Sequence, residues 1–303
     1  MSAKVASIHK TVLLNETIEG LNLKKGAKVL DATFGGGGHS YEICRKFPDV
    51  KIIAIDQDKG AWEKAKSKFE KTDCDITFFN KNFRDIGIME EDIDGIIFDL
   101  GLSSDQLENS GRGFTFLKEE PLLMTMKENP TEEDLTARDI VNSWSEKSLA
   151  EILYGYGEEK YRGRIAREIV EARRKGKIET TFDLVKIIEH AVPTGYRKGR
   201  LHFATRTFQA LRIAVNDELG ALSAGLENGF KILKSGGPAG AGGRMSVISF
   251  HSLEDRIVKK FYKEKERESK AKLINKKPIE ASEEELKINS RSRSAKLRIL
   301  EKI

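Results

Sequence analysis

Lys28-Val29-Leu30-Asp31-Ala32-Thr33-Phe34 runs into Gly35-Gly36-Gly37-Gly38-His39-Ser40, and after a helical run comes Lys51-Ile52-Ile53-Ala54-Ile55-Asp56-Gln57-Asp58. An apolar strand meets four glycines, a helix begins, and a second apolar strand ends in acid. This is the opening of a nucleotide-type α/β fold, with Asp56 about 20 residues past the turn, where a ribose hydroxyl needs a carboxylate. A pyrophosphate cofactor such as NAD asks for G-x-G-x-x-G, so that phosphate meets a helix N-terminus. Gly35 and Gly37 fit, but the sixth position is Ser40, where close strand–helix packing wants Gly or Ala. Asp31 stands just before the turn. An anion there disfavours pyrophosphate and favours the ammonium of a methionine moiety. S-adenosylmethionine has no phosphate, so its turn needs no Arg or Lys, and this one has none. A methyl donor, a nicotinamide cofactor and a purely structural turn all stay open at this point, with the donor fitting best.

Outward from this stretch, the alternation of strand and helix continues. Ala61–Lys71 has a helical pattern, Asp75–Phe79 reads as a third strand, and Ile93–Asp99 as a fourth, apolar enough to be covered on both faces. That alternation predicts a parallel sheet. Ahead of it, residues 9–25 predict a helix. Beyond Asp99 the pattern changes. Leu100–Asn129 reads as loop, and helical segments follow without strands: Thr131–Trp144, capped by Thr131 with Asp134, then 145–154, 158–175 and 180–192. These form a helical insertion. The chain then returns to α/β order, with a long helix over Thr205–Leu233 that Gly220, Gly225 and Gly229 are placed to break. A fifth strand at Arg244–Phe250 and a helix from Ser252, capped with Asp255, follow. Ser269–Ser294 reads as irregular, and Lys296–Ile303 as a closing edge strand.

Two strand ends carry further candidates. Asp99 begins Asp99-Leu100-Gly101-Leu102-Ser103-Ser104 beyond the fourth strand, the edge where ligands of open α/β sheets bind. Methylating an exocyclic amine needs a weak nitrogen nucleophile held in line, with acceptors for its N–H groups. Asp99 or the carbonyls after it could supply them; an acidic strand end before a Gly-Ser turn is the plainer alternative. His251 ends the fifth strand, where a lone histidine is more often a loop hydrogen-bonder than a catalyst. His202, Arg206 and Gln209 open the long helix, where cations and amides could hold phosphate or base. No Cys/His cluster suggests a metal, and none is expected.

Composition bounds these readings. At 303 residues, 33% charged and with a mean hydropathy of −0.46, the chain reads as a soluble protein with a full core. No apolar run approaches the roughly 20 residues of a membrane helix. Met1–Lys10 has no apolar stretch to suggest secretion, and Cys44 and Cys74 follow no ligand spacing and suit a reducing cytoplasm. Net charge is +5, unevenly spread: Lys160–Arg212 holds 14 Lys/Arg against 5 Asp/Glu, and Asp255 to the end 16 against 9. These segments are either solvated helix faces or a phosphate-binding surface.

With these residues in hand, the chain resembles the ribosomal RNA small-subunit methyltransferase H family, which methylates N4 of a cytosine in 16S ribosomal RNA. The matching stretches are Thr11–Leu14, Asp31–Ser40, Asp99–Leu107, Arg112–Phe116, Tyr156–Glu159, His202–Ile213, Ser249–Lys259 and Arg291–Arg298, in family order across nearly the whole chain. The resemblance implies a Rossmann-like S-adenosylmethionine-dependent methyltransferase fold with an inserted all-helical domain. The methyltransferase domain would span 1–107 and 203–303, and the helical insert, for substrate RNA, 108–202. It implies S-adenosylmethionine bound by Gly37, Gly38, His39, Asp56, Phe83, Asp99 and Gln106. Asp99 and His251 are the candidate catalytic residues. Phe83 either flanks adenine or is a core residue. The implied partner is 16S rRNA within the small subunit, in the cytoplasm, without a membrane or a metal.

Two departures stand out. The family usually has Leu-Asp-Met-Arg-Met-Asp after the Arg-Gly-Phe motif, where this chain has Leu122-Leu123-Met124-Thr125-Met126-Lys127. Leu123, Thr125 and Lys127 lose or reverse charge, which leaves an alternative: a catalytically impaired RNA-binding assembly factor that keeps its cofactor pocket. An amino-methyltransferase acting on DNA or protein, and a nicotinamide enzyme, are more distant rivals. The second departure is a glycine-rich insertion at Pro238–Gly242, a length change that costs little entropy.

Overall fold

In the computed structural model, which describes residues 10–70, 72–88, 92–128, 130–237 and 240–303, the opening strand lies third in a seven-stranded sheet, beside its central strand. The elements before the helical segment are α1 (Leu14–Leu21), β1 (Lys28–Asp31), α2 (Gly38–Lys46), β2 (Lys51–Asp56), α3 (Lys59–Phe69), β3 (Asp75–Asn80) and β4 (Gly95–Asp99). Then come α4 (Ser104–Asn109), α5 (Ala137–Ser143), α6 (Glu146–Gly155), α7 (Arg162–Lys175), α8 (Thr181–Ala191), α9 (Thr194–Arg197) and α10 (Thr205–Asn216). The return carries α11 (Glu218–Ile232), β5 (Arg244–Ser249), α12 (Ser252–Arg267), β6 (Ala271–Leu273), α13 (Glu283–Ile288) and β7 (Lys296–Lys302).

The sheet order is β3-β2-β1-β4-β5-β7-β6, parallel except for β7, which runs antiparallel to both of its neighbours. Alternate residues of one strand serve opposite faces, as a period of two requires. Leu30, Ile96, Met245 and Val247 pack with Leu226 and Phe230 of α11 and Val258 and Tyr262 of α12. Val29, Ile52, Ala54 and Ile97 pack with Ile18, Ile43 and Phe69 of α1, α2 and α3. Both faces are covered, which is why β4 is apolar almost throughout. This is the Rossmann-like fold the sequence predicts.

Residues 102–218 form the second compact unit, and residues 1–101 with 219–303 the first. The bounds therefore differ from the expected 108–202. Phe208, Ala210 and Leu211 of α10 are buried in the helical cluster with Ile140, Leu149, Leu153, Ile165 and Ile188, which carries that helix into the second unit. Ser and Thr caps start its helices, and Thr136 with Asp139 and Thr180 with Asp183 form reciprocal capping boxes. The box expected at Thr131 and Asp134 is a local turn before α5, held by Thr131 N–H donating to Asp134 at 2.9 Å.

Three further expectations are corrected. The long helix breaks at Asp217, whose φ is 46°, and not at its glycines. Gly225 and Gly229 lie inside α11, where an added Cβ would meet Phe83 at 2.8 Å and Met245 at 3.0 Å; they permit close packing. β7 is internal rather than an edge, because β6 pairs outside it; three residues of strand are too few to show a period. Ser269–Ser294, expected to be irregular, also holds α13 and a 3-10 turn at Ser290–Ser294. Of the glycine-rich turn, Pro238 and Ala239 lie outside the described residues.

Cys44 of α2 and Cys74, just before β3, are joined in a disulfide with Cα atoms 5.5 Å apart, where the sequence reading expects reduced thiols. Both are held there by the same apolar cluster. Protein prepared without reductant is expected to show no titratable thiol until reduced, and reduction is expected to destabilise this unit by about 2 kcal/mol. Two reactive thiols in the unreduced protein would contradict the pairing. Among the described residues, no helix is long and apolar enough to cross a membrane.

Candidate functional site

Backbone pairing places the glycine turn. Ala32 N–H donates to Ile97 O and Phe34 N–H to Ile55 O, both at 2.9 Å, so the chain leaving β1 is held between its neighbours as it turns. Gly35 and Gly37 take φ of 49° and 68°, the left-handed region that glycine enters without penalty. A Cβ on Gly37 would also lie 2.6 Å from the Phe34 ring. Gly37 then caps α2, whose first residues are Gly38 and the buried His39.

Around this turn the sheet edge is acidic. Asp31 is buried and accepts from Ser40 Oγ at 2.6 Å and from Thr33 N–H at 3.3 Å. Ser40, which breaks the dinucleotide pattern, thus serves to hold the carboxylate that replaces it. Asp56 accepts from Gly35 N–H at 2.7 Å through one oxygen and from Asp58 N–H at 2.8 Å through the other, tying the end of β2 to the turn. Gln57 N–H also reaches this carboxylate, so one of its four lone-pair positions remains for a ribose hydroxyl. Asp99 donates its N–H to Thr33 Oγ1 at 2.6 Å, which fixes the end of β4 against the turn, and its carboxylate lies 3.7 Å from His39 Nδ1. The Asp99 side chain is 25% exposed, the opening through which a ligand can reach it. One cation reaches the turn: Lys68 of α3 donates to Gly36 O at 3.1 Å.

Burial pushes the Asp31 and Asp56 carboxyls up to about 6, against the hydrogen bonds that favour their charged forms. Asp99 is pushed up to about 8, first by burial and then by the charges of Asp31 and Glu254. Negative charges crowded this way are relieved by a nearby cation. The site suits a donor carrying an ammonium and a sulfonium, and it suits pyrophosphate poorly.

Phe83 opens a 3-10 turn after β3 and packs edge-to-face on Phe98 with centroids 5.6 Å apart, its ring against Gly225. His251 caps α12. Its Nδ1 accepts from Glu254 N–H at 3.4 Å, and Glu254 accepts from the N–H groups of Phe250 at 2.8 Å and His251 at 3.3 Å. The cap expected at Ser252 and Asp255 is therefore one residue earlier; Asp255 instead pairs with Arg298 at 2.7 Å. Sequence reasoning missed Glu254, although a histidine followed three residues later by glutamate before a helix is the spacing of a capping box.

Gln106 belongs to the helical unit. There it completes a capping box with Ser103 at the start of α4, its side-chain oxygen accepting Ser103 N–H at 2.9 Å. Gln209 donates to Tyr156 O at 2.9 Å, and His202 stacks on Phe116 and Phe203 with centroids 4.4 and 4.3 Å away. The departure at Leu122–Lys127 is held from its backbone. Asn216 Nδ2 donates to Met124 O at 2.7 Å, its Oδ1 accepts Met126 N–H at 2.8 Å, and Arg112 donates to Met126 O at 2.8 Å. Lys127 pairs with Asp134 on the surface. The loop is thus fixed without the family's charges at 123, 125 and 127, and nothing here favours an impaired protein.

Comparison with known proteins agrees with this chemistry. A family model described as the MraW methylase family matches residues 6–303. The ribosomal RNA small subunit methyltransferase H of Clostridium botulinum (strain Kyoto / Type A2) is 46% identical over 97% of this chain and 99% of its own. The protein of the same name from Brevibacillus brevis is 42% identical over 97% of this chain and 98% of its own. With the match running along both units and through the glycine turn, the chain belongs to the MraW methylase family.

Proposed function

We propose that this protein transfers a methyl group from S-adenosylmethionine to the N4 amine of a cytosine in the decoding centre of 16S ribosomal RNA, acting on the small subunit in the cytoplasm. The observation that carries the donor is the acidic edge around Gly35–His39, where the ends of three strands bring together the buried Asp31 and the partly exposed Asp56 and Asp99, all three raised above the usual carboxylate range. The acceptor rests on relatives that match end to end.

When bound, the donor supplies an electrophilic methyl; the chain's own residues do the rest. Asp56 would offer its remaining lone pair to a ribose hydroxyl, Asp31 would face the methionine ammonium, and the backbone from Gly37 to His39 would line the donor. Asp99 would accept an N–H of the target amine, which aligns the nitrogen; as nitrogen takes the methyl, S-adenosylhomocysteine would leave as the neutral thioether and the displaced N–H proton would pass through this carboxylate to water. Nitrogen attacks directly, so no covalent cysteine is needed; Cys44 and Cys74 are joined to each other. The target base has to leave its stack to be reached. The helical unit and the basic C-terminal segment hold the surrounding RNA.

Incubation with labelled donor and small subunits that lack the mark is expected to place label at cytosine N4. Label on no cytosine N4 would refute the assignment. Donor binding is also expected to depend on pH. A bound cation favours the ionised carboxylates, so binding releases protons and affinity rises with pH between about 6 and 8. Calorimetry is expected to find S-adenosylmethionine about tenfold weaker at pH 6 than at pH 8. S-adenosylhomocysteine, which lacks the sulfonium, is expected to change less. Equal pH dependence of the two ligands would show that the carboxylates do not sense the sulfonium.

A further inference from the structure

The helical unit contains a cavity of about 500 Å³ lined by Lys160, Tyr161, Tyr196, Arg200, Leu201 and Arg206, with Pro193, Gly195 and Gly199 completing its wall. Three cations line it, and no carboxylate does. The cations stand beside rings. Lys160 Nζ lies 5.0 and 5.1 Å from the centroids of Tyr161 and Tyr196, and those two rings meet edge to face at 4.9 Å. The Tyr196 ring is fixed from behind by the fully buried Glu159, which accepts from its Oη at 2.7 Å and also holds the Tyr161 main chain by accepting its N–H at 2.8 Å. Arg206 is aimed by its bond to Glu158 O at 2.6 Å, which leaves its other N–H groups to point elsewhere. Leu201 is 53% exposed at the rim.

Each half of this lining asks for a different chemistry. Three cations in a lining without a carboxylate ask for an anion with several acceptor oxygens. Two rigid tyrosines and an exposed leucine ask for a flat apolar group, and such stacking tolerates any base. One ligand that carries both is a nucleotide. The size lies within the range of small-molecule sites. The rim, made of the exposed Lys160, Pro193, Gly195, Gly199, Arg200 and Leu201, leaves room for a strand to enter and leave.

We infer that this cavity holds one nucleotide of a single-stranded RNA segment, its phosphate on Lys160, Arg200 and Arg206 and its base against Tyr161, Tyr196 and Leu201. The inference rests on the reading of the protein as an RNA methyltransferase and deepens it: the helical unit grips substrate at a defined pocket rather than through diffuse charge. The pocket is lined entirely by residues of the helical unit and shares none with the proposed donor site.

The test uses the full chain and a labelled short oligoribonucleotide, followed by fluorescence anisotropy over a range of salt concentrations. The double variant Lys160→Ala/Arg200→Ala is expected to bind about tenfold more weakly, with a salt slope shallower by about 1.4, the signature of two lost phosphate contacts on a single strand. Tyr161→Leu is expected to weaken binding about fivefold, with the slope unchanged, because a stack is lost and no ion pair is. A wild-type calorimetric unfolding profile for the helical unit, in which these residues lie, confirms that both variants are folded. Wild-type affinity and slope in the double variant would overturn the inference, as would full competition by cytidine 5′-monophosphate alone, which would make this a free-nucleotide site. So would selective loss of binding to a phosphopeptide probe rather than to RNA. Methylation of N4 by wild type together with an unaffected double variant would sink this pocket and leave the proposed function standing. Absence of methylation together with weakened RNA binding in the variant would do the reverse.

Discussion

Asp99→Asn is expected to slow methyl transfer by about 100-fold or more and, at the same time, to make the donor-free protein less sensitive to alkali. The first effect follows from what an amide cannot do. It is a weaker acceptor than a carboxylate and takes up no charge as the attacking nitrogen becomes positive. The second follows from the direction of the Asp99 shift. Its carboxyl is raised to about 8 in the folded protein, against an ordinary value of 3.8. The stability this group contributes is therefore fully present below about pH 4, declines as pH rises, and is gone above about pH 8. Asparagine has no such slope. Urea unfolding at pH 5, 6.5 and 8 is expected to show wild type losing stability across the series and the variant losing less, while Asp31 and Asp56 contribute the same sign of slope only up to about pH 6. A variant with wild-type turnover would remove Asp99 from the chemistry. A variant with a wild-type pH slope would show that its charge is not what the fold resists.

The second large effect is structural. Gly157→Ala is expected to destabilise the helical unit by about 3 kcal/mol. A Cβ at this buried position between α6 and α7 would lie 2.5 Å from Arg206 O and 2.8 Å from Leu153 O. Both are backbone atoms of helices, so neither can swing aside as a side chain would. The same few residues tie α6 to α10 through Gln209 to Tyr156 O and Arg206 to Glu158 O, and both contacts would have to lengthen together. Calorimetry is expected to show a lower-temperature unfolding event in the variant while affinity for the methyl donor is kept. A melting profile identical to wild type would mean the two helices separate freely at that point.

Much of this was legible in the sequence wherever a period or a charge repeats. Five strands showed as apolar runs, and the structure begins four of them, β1, β2, β3 and β5, at the expected residue and β4 two residues later. The acidic edge was legible too, since Asp31, Asp56 and Asp99 each end a strand and parallel strands that share a sheet end on one side. Pairings that depend on single distant partners were not legible. No local pattern joins Ser40 to Asp31, Thr33 to the Asp99 amide, or Cys44 to Cys74. β6 shows no period because it has three residues, and α10 looked like part of the sheet domain because its buried face is apolar whichever core receives it. His251 shows the same limit at a site residue: its type suggested chemistry, and its local spacing to Glu254 makes it a helix cap.

The position of β7 has a consequence for how the chain is made. β4, buried along nearly its whole length, finds its partner β5 only after everything from Leu100 to Gly243 has been synthesised, and β5 waits longer still for β7. At ordinary translation speeds that delay is on the order of ten seconds. Throughout it a nascent four-stranded sheet presents an open apolar edge, the kind of edge that recruits strands from other chains. The helical unit emerges whole during this interval and completes its own core without waiting. Newborn chains are therefore most vulnerable to association after β4 leaves the ribosome and before β5 does, and a chaperone that occupies the β4 edge would act within that window.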